Sequence, residues 1–498
     1  MRRVLIRALL VSSCGLFPAM AHAQAGTEAG CIALANVRIE TATAVASRWV
    51  AADAAKSMPA YCEVTATLSP VAGSNIGVVY RLPENWNGKL LGLGGGGWAG
   101  NVTLAAATPG LKAGYATAST NGGHPSTSPW DTDWSSNPEA LTDFAYRAIN
   151  RMTVAGKAVV QSYYGRKQDK AYFQGCSTGG RMALMEAQRF PDDYDAIIAR
   201  APVYTLQVQT SGVLRSKLIK EAGGFSPAQL KLVNAAVLGA CDAKDGLKDG
   251  LINDPARCGW SPKALICKAG QSGDSCLTHK QAATLETLYR GIKAPDGSYA
   301  MLPLSRGGET LWSAFITVDG TGVTQASGGG MPGLSRVLFG DRTVDFNHFT
   351  ADKDVPEARN SAFGKAYEAG NPDLKRFVAH GGKLLLWHGE SDPGPSPVAT
   401  ADYYQRALKA TPGAANAVRL FMGPGVSHCG GGPGADSTDD LTVLDGWVTS
   451  GKAPETMIAV KNNTPMKRKL CPFPKVARFD GKGDVNDPAA WSCEAPKG

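Results

Sequence analysis

The chain has 498 residues, 43% hydrophobic and 19% charged, with a formal net charge of +8 at pH 7. So mild a positive balance, without lysine or arginine clusters, excludes a nucleic-acid-binding surface, and no segment past the N-terminus reaches the ~18 uncharged apolar residues of a membrane span. The length exceeds one comfortable core and implies one large domain with a substantial insertion, or two domains.

At the N-terminus, Arg2 and Arg3, an apolar run from Val4 to Met20 and then Ala21-His22-Ala23 have the layout of a secretory signal over residues 1–23. A lipidation site at Cys14 is the alternative, but Arg7 shortens the apolar core before it and Gly15-Leu-Phe-Pro is not a polar tether. The expected product is secreted or periplasmic. Loss of Cys14 leaves an even number of the 11 cysteines in an oxidising compartment, which implies disulfides. Their order suggests local pairs, Cys31 with Cys62, Cys241 with Cys258, Cys267 with Cys276 and Cys471 with Cys493, leaving Cys176 and Cys429. Counting alone permits many other connectivities.

Further along, Tyr61 to Leu68 and Gly77 to Leu82 read as short strands. Lys89 to Leu93 is another, running straight into Gly94-Gly-Gly-Gly97-Trp98, where backbone N–H groups are free of side-chain obstruction and suit an oxyanion donor. No Gly-Lys-Ser/Thr follows, which argues against a Walker-type loop. Tyr115 to Ser119 is a further inner strand, and His124 in its following loop is expected to be solvated. Leu141, Phe144, Ala145, Ala148, Ile149 and Met152 recur at helical spacing and predict a long helix up to about Tyr164.

Ala171 to Phe173 is apolar enough for a buried strand. It leads into Gly175-Cys-Ser177-Thr178-Gly179-Gly180-Arg181, and Met182, Leu184, Met185 and Ala187 then suit a packed helix ending at Pro191. Strand, sharp glycine-lined turn and helix with serine at the turn is a nucleophile elbow, in which the Thr178 N–H points where an oxyanion forms. Asp195 to Ala199 is the next strand. Between Pro202 and about Gly381 the alternation is lost over a stretch too long for a connection, so 202–380 is expected to be an inserted lid domain and 24–201 with 381–498 the catalytic domain.

The pattern resumes with strands Lys383 to Trp387 and Ala417 to Met422. The first ends in His388-Gly-Glu390-Ser-Asp392-Pro and the second in Gly423-Pro-Gly-Val-Ser-His428-Cys429. Ser177, Asp392 and His428 thus follow in the order of an α/β-hydrolase triad, each in a loop after a strand. Ser177 would attack a carbonyl, His428 would carry its proton, and Asp392 would fix the imidazole tautomer. Glu390 competes for the acid role and His388 for the base, although His388 is better placed to brace the turn.

Cys176-Ser177 with His428-Cys429, and Asp392 between them, resembles the Cys-Ser, Asp, His-Cys signature of the tannase and feruloyl esterase family, which includes mono(hydroxyethyl) terephthalate hydrolases. The likeness spans nearly the whole mature chain, taking in the glycine loop and Trp387-His-Gly389. It implies an α/β-hydrolase core with an inserted lid, serine ester hydrolysis, a Cys176–Cys429 disulfide, and oxyanion donors near Gly95 or Gly96 and at Thr178. A hydrogen bond between Ser177 and His428 would also bring their cysteine neighbours near bridging distance.

In the lid, Asp242, Asp245 and Asp249, interrupted by Gly246 and Gly250, can fold round a hard cation with backbone oxygens. The spacing is not that of an EF-hand. The family likeness implies a structural calcium held by those side chains and the Leu247 and Leu251 carbonyls. Trp312, Phe315, Phe339 and Phe346 are candidates to stack on a phenolic ring, and Arg306, Arg336 and Arg342 to meet a substrate carboxylate.

The expected activity is hydrolysis of small aromatic acid esters, hydroxycinnamoyl or galloyl, through an acyl-enzyme. A terephthalate monoester hydrolase is the alternative within the fold, and a catalytically silent binding protein the alternative outside enzymology. The intact triad argues against the latter.

Overall fold

The computed structural model describes residues 26–126, 128–323, 331–340 and 342–496. The expected leader, 1–23, lies outside them.

The centre is a nine-stranded sheet whose strands are β1 (Ala42–Val50), β2 (Tyr61–Leu68), β3 (Ile76–Pro83), β4 (Lys89–Leu93), β5 (Ala116–Thr120), β6 (Lys170–Cys176), β7 (Ala196–Arg200), β8 (Lys383–Gly389) and β9 (Val418–Gly423). Their spatial order is β1-β2-β3-β5-β4-β6-β7-β8-β9. The first three strands and the β3–β5 pair are antiparallel; every pairing from β5 through β9 is parallel. β1 lies outside the sequence expectation because its run, ATAVASRWV, is only partly buried and lacks a strict alternation.

The parallel strands are apolar on both faces, as a doubly covered sheet requires. Leu90, Phe173, Ile197, Leu384 and Leu386 join one core with helices α2 (Ala148–Tyr164), α3 (Thr178–Arg189) and α6 (Pro397–Ala410). Leu91, Tyr172, Ile198, Leu385 and Trp387 join a second core with α1 (Leu104–Lys112) and α7 (Asp440–Ser450). The helix expected over 141–164 is broken at its start. A short helix, Pro138–Thr142, passes through a π-turn at Asp143–Arg147 into α2.

Residues 202–380 add no described strand to this sheet. They contribute α4 (Gln207–Glu221), α5 (Pro227–Cys241), further helices and a hairpin, Ile292–Lys293 with Tyr299–Met301. All five expected disulfides are present: Cys31–Cys62, Cys176–Cys429, Cys241–Cys258, Cys267–Cys276 and Cys471–Cys493. Among the described residues no helix is long and apolar enough to cross a membrane.

Candidate active site

Ser177 sits between β6 and α3 with φ 63° and ψ −123°, a backbone conformation that costs a non-glycine residue on the order of 1–3 kcal/mol. The strain is held by its surroundings. The Ser177 N–H donates to the Arg200 carbonyl at 3.0 Å, and its own carbonyl accepts from Arg181 at 3.0 Å and Val203 at 3.1 Å. A Cβ on Gly175 would stand 2.4 Å from the Gly179 backbone, and one on Gly94 would stand equally close to Gly179 Cα, so strand, glycine loop and helix pack backbone to backbone here. Arg181 is wholly buried and donates to the Ala145 carbonyl at 2.6 Å and the Phe144 carbonyl at 2.8 Å, which anchors α3 on the π-turn.

Asp392 and His428, the expected acid and base, lie in the loops after β8 and β9. His428 Nδ1 donates to Asp392 Oδ2 at 2.7 Å, a pairing that leaves Nε2 as the proton acceptor. Asp392 is buried, and Oδ1 also accepts the Gly394 N–H at 2.8 Å. Burial raises the Asp392 carboxyl, but His428 and His388 outweigh it and hold it at about 2. His388 is the brace: buried, with Nε2 shared between Asp392 Oδ2 at 3.2 Å and the Pro395 carbonyl at 3.3 Å, and Nδ1 accepting from Thr400 Oγ1 at 2.8 Å. It does not reach the cavity. Glu390 faces a different cavity, with Asp254, Met422 and Phe473, and is no partner of His428. Burial, with Asp254 adding to it, pushes its carboxyl up to about 8.

Ser177 and His428 line one cavity of about 370 Å³ with Cys176 and Cys429, whose Cα atoms are 5.9 Å apart. No hydrogen bond joins the Ser177 hydroxyl to His428 among the described residues. Such bonds are commonly loose in free enzymes and tighten around a substrate. Gly96 and Gly97 line the cavity beside Thr178, whose hydroxyl donates to the Gly97 carbonyl. Gly95 does not: its N–H is turned onto Met182 Sδ at 3.3 Å, so Gly96 is the better placed of the two oxyanion candidates.

The remaining wall is largely apolar, with Trp98, Trp130, Val203, Val208 and Phe315, plus Gln209 and Arg215. Phe315 stands edge-on to the His428 ring, centroids 4.9 Å apart. The other three aromatic candidates pack within the 202–380 segment. Trp312 packs against Tyr289, and Phe339 and Phe346 against Phe349. The three arginine candidates are turned elsewhere: Arg306 toward the Trp260 carbonyl and Glu286, Arg336 toward Asp133, Arg342 toward Asp354 and Glu357. His124 is buried rather than solvated. Its Nε2 donates to the Trp98 carbonyl at 2.8 Å and its ring stacks on Trp134, and burial pushes it down to about 4, so it braces the glycine loop as a neutral ring. Trp98, Trp130, Gln209 and Arg215 had no local signal in the sequence, because their convergence depends on the fold.

On the lid loop after α5, Asp242 accepts the Asp249 and Gly250 N–H groups, Asp245 that of Leu247, and Asp249 that of Leu251. Asp249 also pairs with Arg468 at 2.6 Å. Burial, then the neighbouring Asp249 and Asp242, push Asp245 up to about 7 despite the Leu247 N–H. Three carboxylates against the one paired guanidinium of Arg468 have donor chemistry that fits a hard cation. Among the described residues no three His, Cys, Asp or Glu side chains converge as a ready metal cluster.

The tannase and feruloyl esterase family model matches residues 62–494. The mono(2-hydroxyethyl) terephthalate hydrolase of Piscinibacter sakaiensis is 32% identical, over 89% of this chain and 86% of that protein. Feruloyl esterase B of Aspergillus niger is 32% identical over 87% and 86%. The crystal structure of feruloyl esterase B from Aspergillus oryzae superposes with a TM-score of 0.82 at 27% identity, covering 94% of this chain and 100% of that one. With a doubly covered α/β sheet, a strained serine elbow and an Asp–His pair at one cavity, the chain belongs to the tannase and feruloyl esterase family of α/β-hydrolase carboxylic ester hydrolases.

Proposed function

We propose that this protein is an exported esterase that releases hydroxycinnamic or gallic acids from their esters through an acyl-enzyme on Ser177. The observation that carries the reading is the His428–Asp392 hydrogen bond of 2.7 Å on the wall of the cavity into which the Ser177 elbow opens. His428 Nε2 takes the hydroxyl proton as Ser177 Oγ attacks the ester carbonyl. The tetrahedral oxyanion meets the N–H groups of Thr178 and Gly96, and the proton returns to the leaving alcohol. Water then repeats the sequence on the acyl-enzyme. Asp392 stays ionised throughout, stabilising the imidazolium.

The apolar wall suits a flat aromatic acyl group, and its volume lies within the range of small-ligand sites. A terephthalate monoester would bring a second carboxylate, and Arg306, Arg336 and Arg342 all engage groups outside the cavity. Arg215, which does line it, is occupied by backbone carbonyls. The five disulfides support export. Asp242, Asp245 and Asp249, with the Leu247 and Leu251 carbonyls, would hold a calcium ion whose role is to neutralise the carboxylates of the lid loop.

Methyl ferulate, methyl gallate and a terephthalate monoester assayed side by side test the reading. It predicts higher kcat/KM on one of the first two; tenfold preference for the terephthalate monoester would overturn it.

A further inference from the structure

Arg215, on α4, is 1% exposed and has no carboxylate within ion-pair distance among the described residues. Buried guanidinium groups are ordinarily matched by a carboxylate. This one instead donates through Nη1 to the carbonyls of Pro393 at 2.9 Å and Gly394 at 3.1 Å, and through Nη2 to that of Leu302 at 2.8 Å. The first two acceptors directly follow Asp392. The third, like Arg215 itself, belongs to the inserted segment; Ser396 Oγ donates across the same seam to the Pro303 carbonyl at 2.6 Å, and within the segment the Leu302 N–H donates to Ser211 Oγ of α4 at 2.8 Å.

We propose that Arg215 is a positioning residue, clamping the Pro393–Gly394 peptide of the core loop against the inserted segment so that Asp392 is presented to His428. The inference rests on the triad reading above. The Gly394 N–H that Asp392 Oδ1 accepts, at 2.8 Å, belongs to the clamped peptide. Rotation of that peptide would remove one of the bonds that orient the carboxylate. Arg215 is also a fixed positive charge close enough to Asp392 for the two to interact through space. The titratable groups that face Asp392 are His428, His388 and Arg215; Phe315, packed on His428, is neutral. Arg215 also forms part of the cavity wall. The acid loop is thereby held from the lid side, and seating of the lid and orientation of the acid become one event.

The test compares wild type, Arg215→Met and Arg215→Lys on methyl ferulate across pH. Loss of a bond that orients the acid lowers kcat by about 10- to 100-fold in Arg215→Met with KM within threefold, since misplacement acts on the reaction more than on binding. Removing a nearby positive charge makes protonation of His428 easier, so the acid limb of kcat/KM moves up by roughly 0.5–1 pH unit in Arg215→Met. Arg215→Lys cannot bridge both loops with a single ammonium: kcat falls with KM within threefold. A kcat within twofold of wild type in both variants overturns the proposal. So does a large loss in Arg215→Met with an unmoved acid limb, which marks a purely structural arginine. Should Arg215→Met not fold, Arg215→Lys decides on its kcat-to-KM split, equal losses in kcat and 1/KM counting against the clamp. Labelling wild type with a serine-directed phosphonate separates the two readings, because absence of label on Ser177 would remove the triad and leave the clamp without a client.

Discussion

The Cys176–Cys429 bridge should matter more to turnover than to melting. It closes a loop of 253 residues, which in the chain-entropy model restricts the unfolded ensemble by about 5.5 kcal/mol at 25 °C. The Cys241–Cys258 and Cys267–Cys276 bridges lie inside that loop and span 17 and 9 residues, a shortening that the logarithm reduces to about 0.1 kcal/mol. Removal of a native disulfide costs about 2–5 kcal/mol, so the double variant Cys176→Ala, Cys429→Ala should fall in that range. The unfolding entropy of a chain this long is roughly 1 kcal/mol/K, so Tm drops by only about 2–5 °C. Activity has no such buffer. The bridge ties the residue before the nucleophile to the residue after the base, and Cys429 itself is held at φ 60°. Freed, the His428 loop samples positions away from Ser177, and kcat should fall at least tenfold at 25 °C with KM little changed. Calorimetry and Michaelis–Menten kinetics on the same preparation give both numbers. A kcat within twofold of wild type would refute the reasoning, as would a Tm loss above 10 °C with kcat preserved.

His388→Ala should cost about 10- to 100-fold in kcat, since it strips a hydrogen bond from Asp392, whereas His428→Ala should cost about 10⁴-fold; initial rates on methyl ferulate rank them, and the reverse order would reassign the base. Glu186 is buried in α3 beside Asp193, and burial followed by Asp193 raises its carboxyl well above the ordinary range. A proton kept in the folded state and released in the unfolded one makes stability fall as pH rises from about 4.5, so Glu186→Gln should melt higher than wild type at pH 8 and equally at pH 4. Parallel Tm–pH curves would contradict this. A chelator should lower Tm while leaving kcat at low temperature within about twofold, because the aspartates at 242, 245 and 249 lose a shared counter-charge. An unchanged midpoint with no calcium by elemental analysis would dismiss the ion.

What could be read locally was read well. The inner strands are short and apolar, and the glycine loop, the elbow and the two loops carrying Asp392 and His428 are marked by glycine or proline at strand ends, so all of them are legible without knowledge of neighbours. The edge strand β1 escaped because its side chains are half exposed and its pattern is weak. The cavity wall was less accessible. Of four aromatics of the 202–380 segment with equal sequence credentials, Phe315 is the one that lines the cavity beside His428, a contact between residues distant in the chain. His124 looked solvated because its loop is glycine-rich, yet Trp134 and the Trp98 carbonyl enclose it. Arg215 sits in a helix without any motif, and its role becomes visible only where Pro393, Gly394 and Leu302 meet it.

The proposed chemistry depends on acylation of Ser177. Rapid mixing of the protein with excess methyl ferulate, acid quenching within the first turnover and peptide mapping by mass spectrometry test it directly. The account predicts a feruloyl adduct on the peptide carrying Cys176-Ser177-Thr178, formed in a burst, absent from Ser177→Ala and long-lived when water attack is slowed. Steady hydrolysis with no adduct at Ser177, or with the acyl group on another residue, would contradict it.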